Sequence, residues 1–489
     1  MAEQSLKDKT VKGVGWSAID SIAGQGVTFL IGLVLARLLS PDEYGLIGVV
    51  MIFVTVLNAI VDSGFSNALI RKKVVLGEDY NTMFITNICV SFAMYLILFF
   101  GAGAIAHFFG RDELITLTRV VGIVVIVNAL SITQYTILQK KLDFRTKTKA
   151  SLISAIVSGV IGVVMAYADF GVWALAGQTI SKQVVYTILL WISNKWWPNL
   201  SFNMESFKYM WGYGWKLLAS GLLNNIWNEL YQVVVSKFYT PATLGQYTRS
   251  RQFGQIFSQN LTQIVQRVSF PVLAEMQDNK IRLVTAYRRI IKVTMFVTLV
   301  SMLCLGAIAK PLIYCLIGPK WDMAASFLPL ICITMSLYPL HAINLNMLQV
   351  LDRSDLFLKL EIIKKIISIL PICIGIFIDI YWMIASSILT SFIAFLLNSY
   401  YSGRMIGYSS VMQIKDISKS CLFAAVLAVS IHCVQYLPLS YYLILAIQLL
   451  IVTIVIFVVL RFIDTEEIRE IRGMVEVYLG KIKMQKNVE

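Results

Sequence analysis

A row of glutamines is the feature of this sequence most able to bind a polar molecule. Its five members recur at spacings of three and four residues: Gln252, Gln255, Gln259, Gln263 and Gln266. Such spacing places side chains on one face of a helix. Arg249 and Arg251 precede the row and add positive charge. The pattern favours a face that lines an aqueous path, with hydrogen bonding between packed helices as the structural alternative.

A second polar face precedes this row in the chain. Its members lie four residues apart or a multiple of four: Lys216, Ser220, Asn224 and Asn228. Arg37 is a further candidate cationic contact. Three acidic residues in apolar segments are candidate carriers of a coupling proton or sodium ion: Asp20, Asp62 and Glu229. The alternative role of these acids is structural, as ion-pair partners of Lys216, Arg249 or Arg251.

The helices that hold these residues must lie in a membrane. The chain has 489 residues, of which 57% are hydrophobic and only 14% charged, whereas soluble proteins average about 25% charged residues. Its mean hydropathy is +0.73. The net charge of +14 is what membrane proteins acquire from basic cytoplasmic loops, so no nucleic-acid partner is expected. The seven cysteines lie in apolar runs without metal-ligand spacing, which predicts neither a metal site nor a disulfide framework.

Fourteen apolar segments are predicted, each about long enough to span a bilayer. They cover residues 13–38, 43–68, 80–108, 114–139, 147–168, 171–193, 207–238, 243–272, 287–309, 324–350, 357–379, 381–402, 416–436 and 438–461. Basic residues collect in alternate connections, such as 71–73, 140–149 and 280–292. Because Lys and Arg favour the cytoplasmic side, we expect both termini in the cytoplasm. Lys182, inside the sixth segment, is interpreted as snorkelling towards that side.

The sequence contains an internal repeat. Residues 13–48 and 212–247 share a layout in which Trp16 corresponds to Trp215, Pro41 to Pro241 and Gly45 to Gly245. Two copies with the same orientation are typical of transporters built from parallel repeats. We predict a six-helix lobe in residues 1–200 and a second in 201–405. Two additional transmembrane helices follow in 406–461, then a cytoplasmic tail in 462–489.

The stretch GVGWSAIDSIAGQGVTFLIGLVLARLLSPDEYGLIG, followed by DSGFSNALIRKK at 62–73, resembles one family of membrane proteins. It is similar to the polysaccharide transporters of the multidrug/oligosaccharidyl-lipid/polysaccharide exporter superfamily, and within them to Wzx-type flippases for O-antigen, colanic acid and teichuronic acid. The resemblance implies an all-α polytopic fold with two pseudo-symmetric six-helix lobes around a central cavity, plus two peripheral helices. It also implies movement of undecaprenyl-diphosphate-linked oligosaccharide from the cytoplasmic to the outer leaflet of the bacterial inner membrane.

That substrate implies a binding role for each of the two polar faces. Cations would hold the diphosphate, namely Arg249, Arg251, Lys216 and Arg37. The amides would hold sugar hydroxyls. Membrane lipids are the expected surroundings, and a polysaccharide polymerase and export machinery are the expected protein partners.

Two other classes of protein fit the sequence less well. An exporter of small cations coupled to protons or sodium ions, similar to multidrug and toxic compound extrusion (MATE) transporters, would favour an acidic cavity, whereas the second-half polar face is basic. A membrane enzyme would normally need a large outer loop with paired acids, and the connections are short. The sequence has no Gly-x-x-x-x-Gly-Lys-Ser/Thr phosphate loop, so we expect neither ATP hydrolysis nor a cofactor.

Overall fold

The computed structural model describes residues 24–199, 201–462, 467–470 and 472–473. These residues form helices joined by short connections, and no strand occurs among them. The first ten helices are α1 Gln25–Leu38, α2 Pro41–Asp62, α3 Phe65–Arg71, α4 Gly77–Phe109, α5 Glu113–Val121, α6 Ile123–Lys140, α7 Phe144–Tyr167, α8 Val172–Asn194, α9 Met204–Phe238 and α10 Pro241–Glu275. The others are α11 Lys280–Ala307, α12 Ala309–Leu316, α13 Asp322–Ser336, α14 Tyr338–Val350, α15 Ser354–Ile367, α16 Ile369–Phe377, α17 Ile380–Ile406, α18 Ser410–Cys433 and α19 Tyr441–Phe462.

The helices confirm the all-α membrane fold. The described part of each predicted segment coincides with one helix or two consecutive helices. Nine stretches of the described residues are long and apolar enough to cross a bilayer. The others are shorter or carry polar residues, as α8 does with Gln178, Lys182 and Gln183. The chain is therefore a multi-pass membrane protein, and fourteen crossings stay a prediction. The segment before Gly24 and most of the tail lie outside the described residues.

The repeated motif starts a helix in the same way in both copies. Ser40 caps α2. The Glu43 carboxylate accepts hydrogen bonds from the backbone N–H of Ser40 at 2.6 Å and from the Ser40 hydroxyl at 2.8 Å. In the second copy, the Thr240 hydroxyl accepts a hydrogen bond from the backbone N–H of Thr243 at 3.2 Å. A proline follows each capping residue, at the first helical position, where its fixed φ and missing N–H cost little.

The two copies of the motif also touch each other. A Cβ built on Gly45 would lie 1.8 Å from the carbonyl oxygen of Pro241, and one built on Gly245 would lie 2.0 Å from the carbonyl oxygen of Pro41. Only glycine allows backbones to approach this closely. The Pro-x-x-x-Gly spacing therefore produces a reciprocal contact, in which the glycine of each motif packs against the first turn of the other helix.

The DSGFSNALIRKK motif forms a tight turn and a short helix. Ser63 and Gly64 have positive φ angles of 50° and 69°, which end α2 before α3 begins. The Lys140 ammonium donates hydrogen bonds to the carbonyls of Leu69 and Ile70, both at 3.0 Å. A cation at the carboxyl end of a helix satisfies its free carbonyls and its dipole. The basic residues at this connection thus stabilise the fold locally.

Two compact units divide the chain, Met1–Gly245 and Gln246–Glu489. In the first, α9 packs against α2, α3 and α4, and the backbones of Gly64 and Gly214 are in contact. In the second, a buried core joins α11, α14, α17 and α18 through residues that include Tyr287, Met347, Phe395 and Ala424. Our predicted lobe boundaries, at residues 200 and 405, stay a prediction.

Candidate functional site

The glutamine row lies on one continuous helix, α10, so its spacing holds over the whole row. Gln252 and Gln255 are half-buried, and Gln259 and Gln263 are exposed. The exposed members lie towards the carboxyl half of α10. Their amides are therefore available to solvent, lipid or a ligand at the surface of the second unit.

A neighbouring face of α10 is the one that packs. The Ser258 hydroxyl donates a hydrogen bond to the carbonyl of Met335 at 2.8 Å. Gly254 lies against Ile331 and Met335, so that a Cβ there would come within 3.1 Å of both side chains. Thr262, one turn further on, is buried and donates to the carbonyl of Ser258 at 2.7 Å. Small residues hold α10 against α13, which leaves the glutamine face free of this contact.

The two arginines of α10 differ in burial. Arg249 is only 6% exposed, and its guanidinium donates a hydrogen bond to the side-chain oxygen of Gln252 at 2.5 Å. Arg251 is half-buried. The structure therefore joins one predicted cation directly to the first glutamine of the row. A guanidinium held in this way has a fixed orientation.

The predicted residues of α9 form a separate group in the first unit. Lys216, Asn224 and Asn228 are exposed, whereas Glu229 is half-buried and accepts a hydrogen bond from Gln232. This part of α9 follows Gly214, whose built Cβ would lie 2.6 Å from the carbonyl oxygen of Ser63. The structure thus brings the segment with Lys216 close to the end of α2.

Asp62, the last residue of α2, lies at that contact. Its carboxylate accepts a hydrogen bond from the Ser66 hydroxyl at 2.6 Å, and within the described part of the chain no ion pair joins it to Lys216. The structural alternative for this acid, pairing with Lys216, is therefore absent from the described residues. Arg37 is exposed in the last turn of α1. Asp20 lies outside the described residues.

A polar network that was not predicted from the sequence crosses the first unit. The Asn128 amide donates to Asn58 at 3.0 Å, and the Gln183 amide donates to Asn128 at 3.2 Å and to Ser131 at 3.3 Å. These residues link α2, α6 and α8. The available signal was the polar run Gln178–Gln183 inside an otherwise apolar segment. Isolated amides in three distant segments, however, give no indication that they meet.

A second missed network is buried in the second unit. The side-chain oxygen of Asn344 accepts hydrogen bonds from Tyr287 at 2.8 Å, Ser402 at 2.7 Å and Gln413 at 3.1 Å. All four residues are fully buried. They come from α11, α14, α17 and α18, so one amide joins four helices. Because it is closed to solvent and fully engaged, this hub is structural.

The helices and their polar faces can be compared with known proteins. Over 91% of its length, the chain matches the structure of the lipid II flippase MurJ in an inward closed conformation, with a TM-score of 0.70, 16% sequence identity and 97% of MurJ covered. It also matches an inward-facing multidrug resistance MATE transporter of the MOP superfamily, with a TM-score of 0.60, 15% identity, and 81% and 98% of the two chains covered. The fold is therefore like that of MurJ and of this MATE transporter.

The sequence identifies the family within that fold class. Residues 34–326 match the family model described as polysaccharide biosynthesis protein, and the chain belongs to this family. It is 27% identical over 331 residues to the succinoglycan biosynthesis transport protein ExoT of Rhizobium meliloti, covering 68% of this chain and 67% of ExoT. It is 22% identical over 376 residues to the lipopolysaccharide biosynthesis protein WzxC of Escherichia coli, covering 76% of each. The resemblance noted in the sequence is thereby confirmed.

Proposed function

We propose that this protein is a flippase for a polyprenyl-linked saccharide. It moves undecaprenyl-diphosphate-linked oligosaccharide from the cytoplasmic to the outer leaflet of the bacterial inner membrane, for surface or extracellular polysaccharide. The observation that carries the proposal is the character of the polar face of α10, where Arg249 is hydrogen bonded to Gln252 and a row of amides follows. This face suits a ligand that is anionic at one end and rich in hydroxyls at the other.

The proposed mechanism is alternating access between two six-helix lobes around a central cavity. The arginines and Lys216 hold the diphosphate, the amides hold the sugars, and the polyprenyl chain stays in lipid. An inside-negative potential favours outward movement of a negative headgroup by about 2.3 kcal/mol per charge per 100 mV. Asp62, Glu229 and Asp20 are the candidate acids for ion coupling. The chain performs no chemical conversion, and its termini lie in the cytoplasm.

A binding measurement separates this function from export of small cations. Purified protein in detergent is titrated with an undecaprenyl-diphosphate oligosaccharide and, separately, with tetraphenylphosphonium. We expect saturable binding of the lipid-linked saccharide and little binding of the cation, because the described polar face on α10 is basic. The reverse preference would contradict the proposal and favour a multidrug-type exporter.

Variants then test the residues. We expect Arg249→Gln/Arg251→Gln to weaken saccharide-lipid binding about tenfold or more, since each arginine offers charge-assisted hydrogen bonds. The matched control is Arg282→Gln/Arg404→Gln, which removes two exposed arginines near helix ends and should leave binding unchanged. Because Arg249 is buried, Arg251→Gln alone and the melting temperature of each variant show whether folding is retained. Equal binding in wild type and a folded double variant would remove these residues from the site.

A further inference from the structure

Lys182 is a cation at the middle of a long helix. It is the eleventh residue of α8, whose 23 residues run from Val172 to Asn194. At 1.5 Å per residue, its Cα lies about 15 Å from one end of the helix and about 18 Å from the other. A four-carbon side chain is much shorter than either distance. The lysine is therefore attached near the middle of α8, and snorkelling towards the cytoplasmic side, as expected from the sequence, stays a prediction.

Lys182 and the polar residues near it on α8 are half-buried. The side chain is half-buried, and the next residue, Gln183, belongs to the amide network with Asn58, Asn128 and Ser131. Thr179 and Tyr186, three residues before and four after Lys182, share its face of the helix and are half-buried too. The lysine therefore projects from the same level of α8 as a network that joins three helices.

Most of the described acids of the first unit have partners other than Lys182. Asp79 pairs with Lys72 at 2.7 Å, and Asp42 pairs with Arg111 at 3.3 Å. The other acids with side-chain hydrogen bonds bind hydroxyl, amide or backbone groups: Glu43, Asp62, Glu78, Asp143 and Glu229. Within the described residues, neither a hydrogen bond nor an ion pair involves the Lys182 ammonium.

A charged group in this position has an energetic cost. A lysine at the centre of a membrane helix costs about 2.5–3.5 kcal/mol on insertion scales, and such residues pair with a partner or mark a substrate path. The described residues supply no acidic partner. An anion that enters with the substrate would supply the missing charge.

We propose that Lys182 binds the phosphate groups of a polyprenyl-linked substrate, as a positioning cation in the first unit. This inference rests on the proposed function. An ammonium is a compact point charge with three donors and no fixed plane, so it can follow a diphosphate whose orientation changes as it moves. The amide network that begins at the next residue, Gln183, joins α8 to α2 and α6.

The test compares lipids that differ only in the headgroup. Binding of undecaprenyl diphosphate and of uncharged undecaprenol is measured by native mass spectrometry for wild type, Lys182→Gln and Lys182→Arg. We expect Lys182→Gln to weaken diphosphate binding about tenfold, the effect of one lost charge-assisted hydrogen bond, and to leave undecaprenol binding unchanged. Lys182→Arg should retain most of the affinity. Lys208→Gln, at an exposed position on α9, is the charge-matched control.

Several results would overturn the role of Lys182. Wild-type affinity in Lys182→Gln would do so, as would an equal loss for both lipids, which indicates a purely structural residue. Recovery of binding when Asp20→Asn is added to Lys182→Gln would assign the lysine to an internal ion pair. Tight binding of inorganic pyrophosphate through Lys182 would indicate a soluble diphosphate instead of a lipid headgroup. If wild type binds neither lipid, the proposed function itself fails and this role fails with it.

Discussion

Individual polar residues in this protein differ in how completely their hydrogen-bonding groups are satisfied. Asn344 is fully buried and its side-chain oxygen serves three donors from three other helices. Lys182 and the exposed glutamines of α10 have no such closed set of partners among the described residues. In a membrane, where water does not compensate a broken hydrogen bond, this difference separates a residue that builds the fold from one that can bind a ligand.

A matched pair of asparagines tests this distinction. Asn344→Ala leaves the hydroxyls and amide that it served without an acceptor, so we expect the folded state to lose about 1–3 kcal/mol for each group left unsatisfied. Asn346, two residues further along α14, is also buried, but its side-chain nitrogen has no hydrogen-bond partner within the described residues. Asn346→Ala should therefore cost much less.

The measurement is the melting temperature of each variant in detergent, followed by fluorescence or light scattering. The structural assignment of the hub requires Asn344→Ala to melt clearly below Asn346→Ala. Equal melting temperatures would show that the hub adds little to stability, and that Asn344 must be reconsidered as a ligand contact.

At the scale of helices, the repeated Pro-x-x-x-Gly motif determines how α2 and α10 start and where they touch. The predicted segments leave a break between residues 38 and 43 and another between 238 and 243, where Ser40–Pro41 and Thr240–Pro241 lie. Capping residues and proline act locally, so such breaks can be predicted from sequence. It also paired Gly45 with Gly245 through the repeat. It did not predict that each glycine contacts the proline of the other copy, since that contact depends on how distant helices pack.

Adding a methyl group at this contact should separate the two helices. Gly45→Ala places a Cβ against the carbonyl oxygen of Pro241, a backbone atom that has no alternative rotamer. We expect a destabilisation of about 1–3 kcal/mol, as for other overpacked sites. Gly101→Ala in α4 is the control, because nothing lies within 4 Å of a Cβ there. It should be neutral or stabilising by about 0.5–1 kcal/mol.

Opposite shifts in melting temperature for Gly45→Ala and Gly101→Ala are the expected outcome. If Gly45→Ala melts like wild type, the close contact between the two motifs is not maintained in the protein. Gly245→Ala provides an independent check, because its Cβ would meet the carbonyl oxygen of Pro41 in the reciprocal position.

At the scale of the molecule, the sequence predicted the class of protein, whereas its site residues stay a prediction. Apolar segments about 20 residues long are forced by the thickness of the bilayer, so nearly every helix was visible in advance. The polar faces of α9 and α10 were also predicted from the sequence, through their three- and four-residue spacing. The network of Asn58, Asn128 and Gln183 was not, because each amide stands alone in its own segment and meets the others only after the helices pack.

The burial of individual side chains was equally beyond the sequence. Arg249 and Arg251 lie two residues apart, and the sequence does not distinguish them. In the structure, Arg249 is almost fully buried against Gln252, whereas Arg251 is half-buried. Residues two apart on a helix lie on nearly opposite faces, and the neighbours of each face are a property of the fold.

The central claim, transport of a lipid-linked anionic saccharide, is tested most directly in liposomes. Purified protein is reconstituted with a fluorescent undecaprenyl-diphosphate oligosaccharide, and its movement between leaflets is followed by a membrane-impermeant quencher. The account predicts movement well above that of protein-free liposomes, reduced in folded Arg249→Gln/Arg251→Gln and unchanged in Arg282→Gln/Arg404→Gln. The claim would be contradicted if the lipid-linked saccharide moved only at the protein-free rate while the same liposomes transported tetraphenylphosphonium.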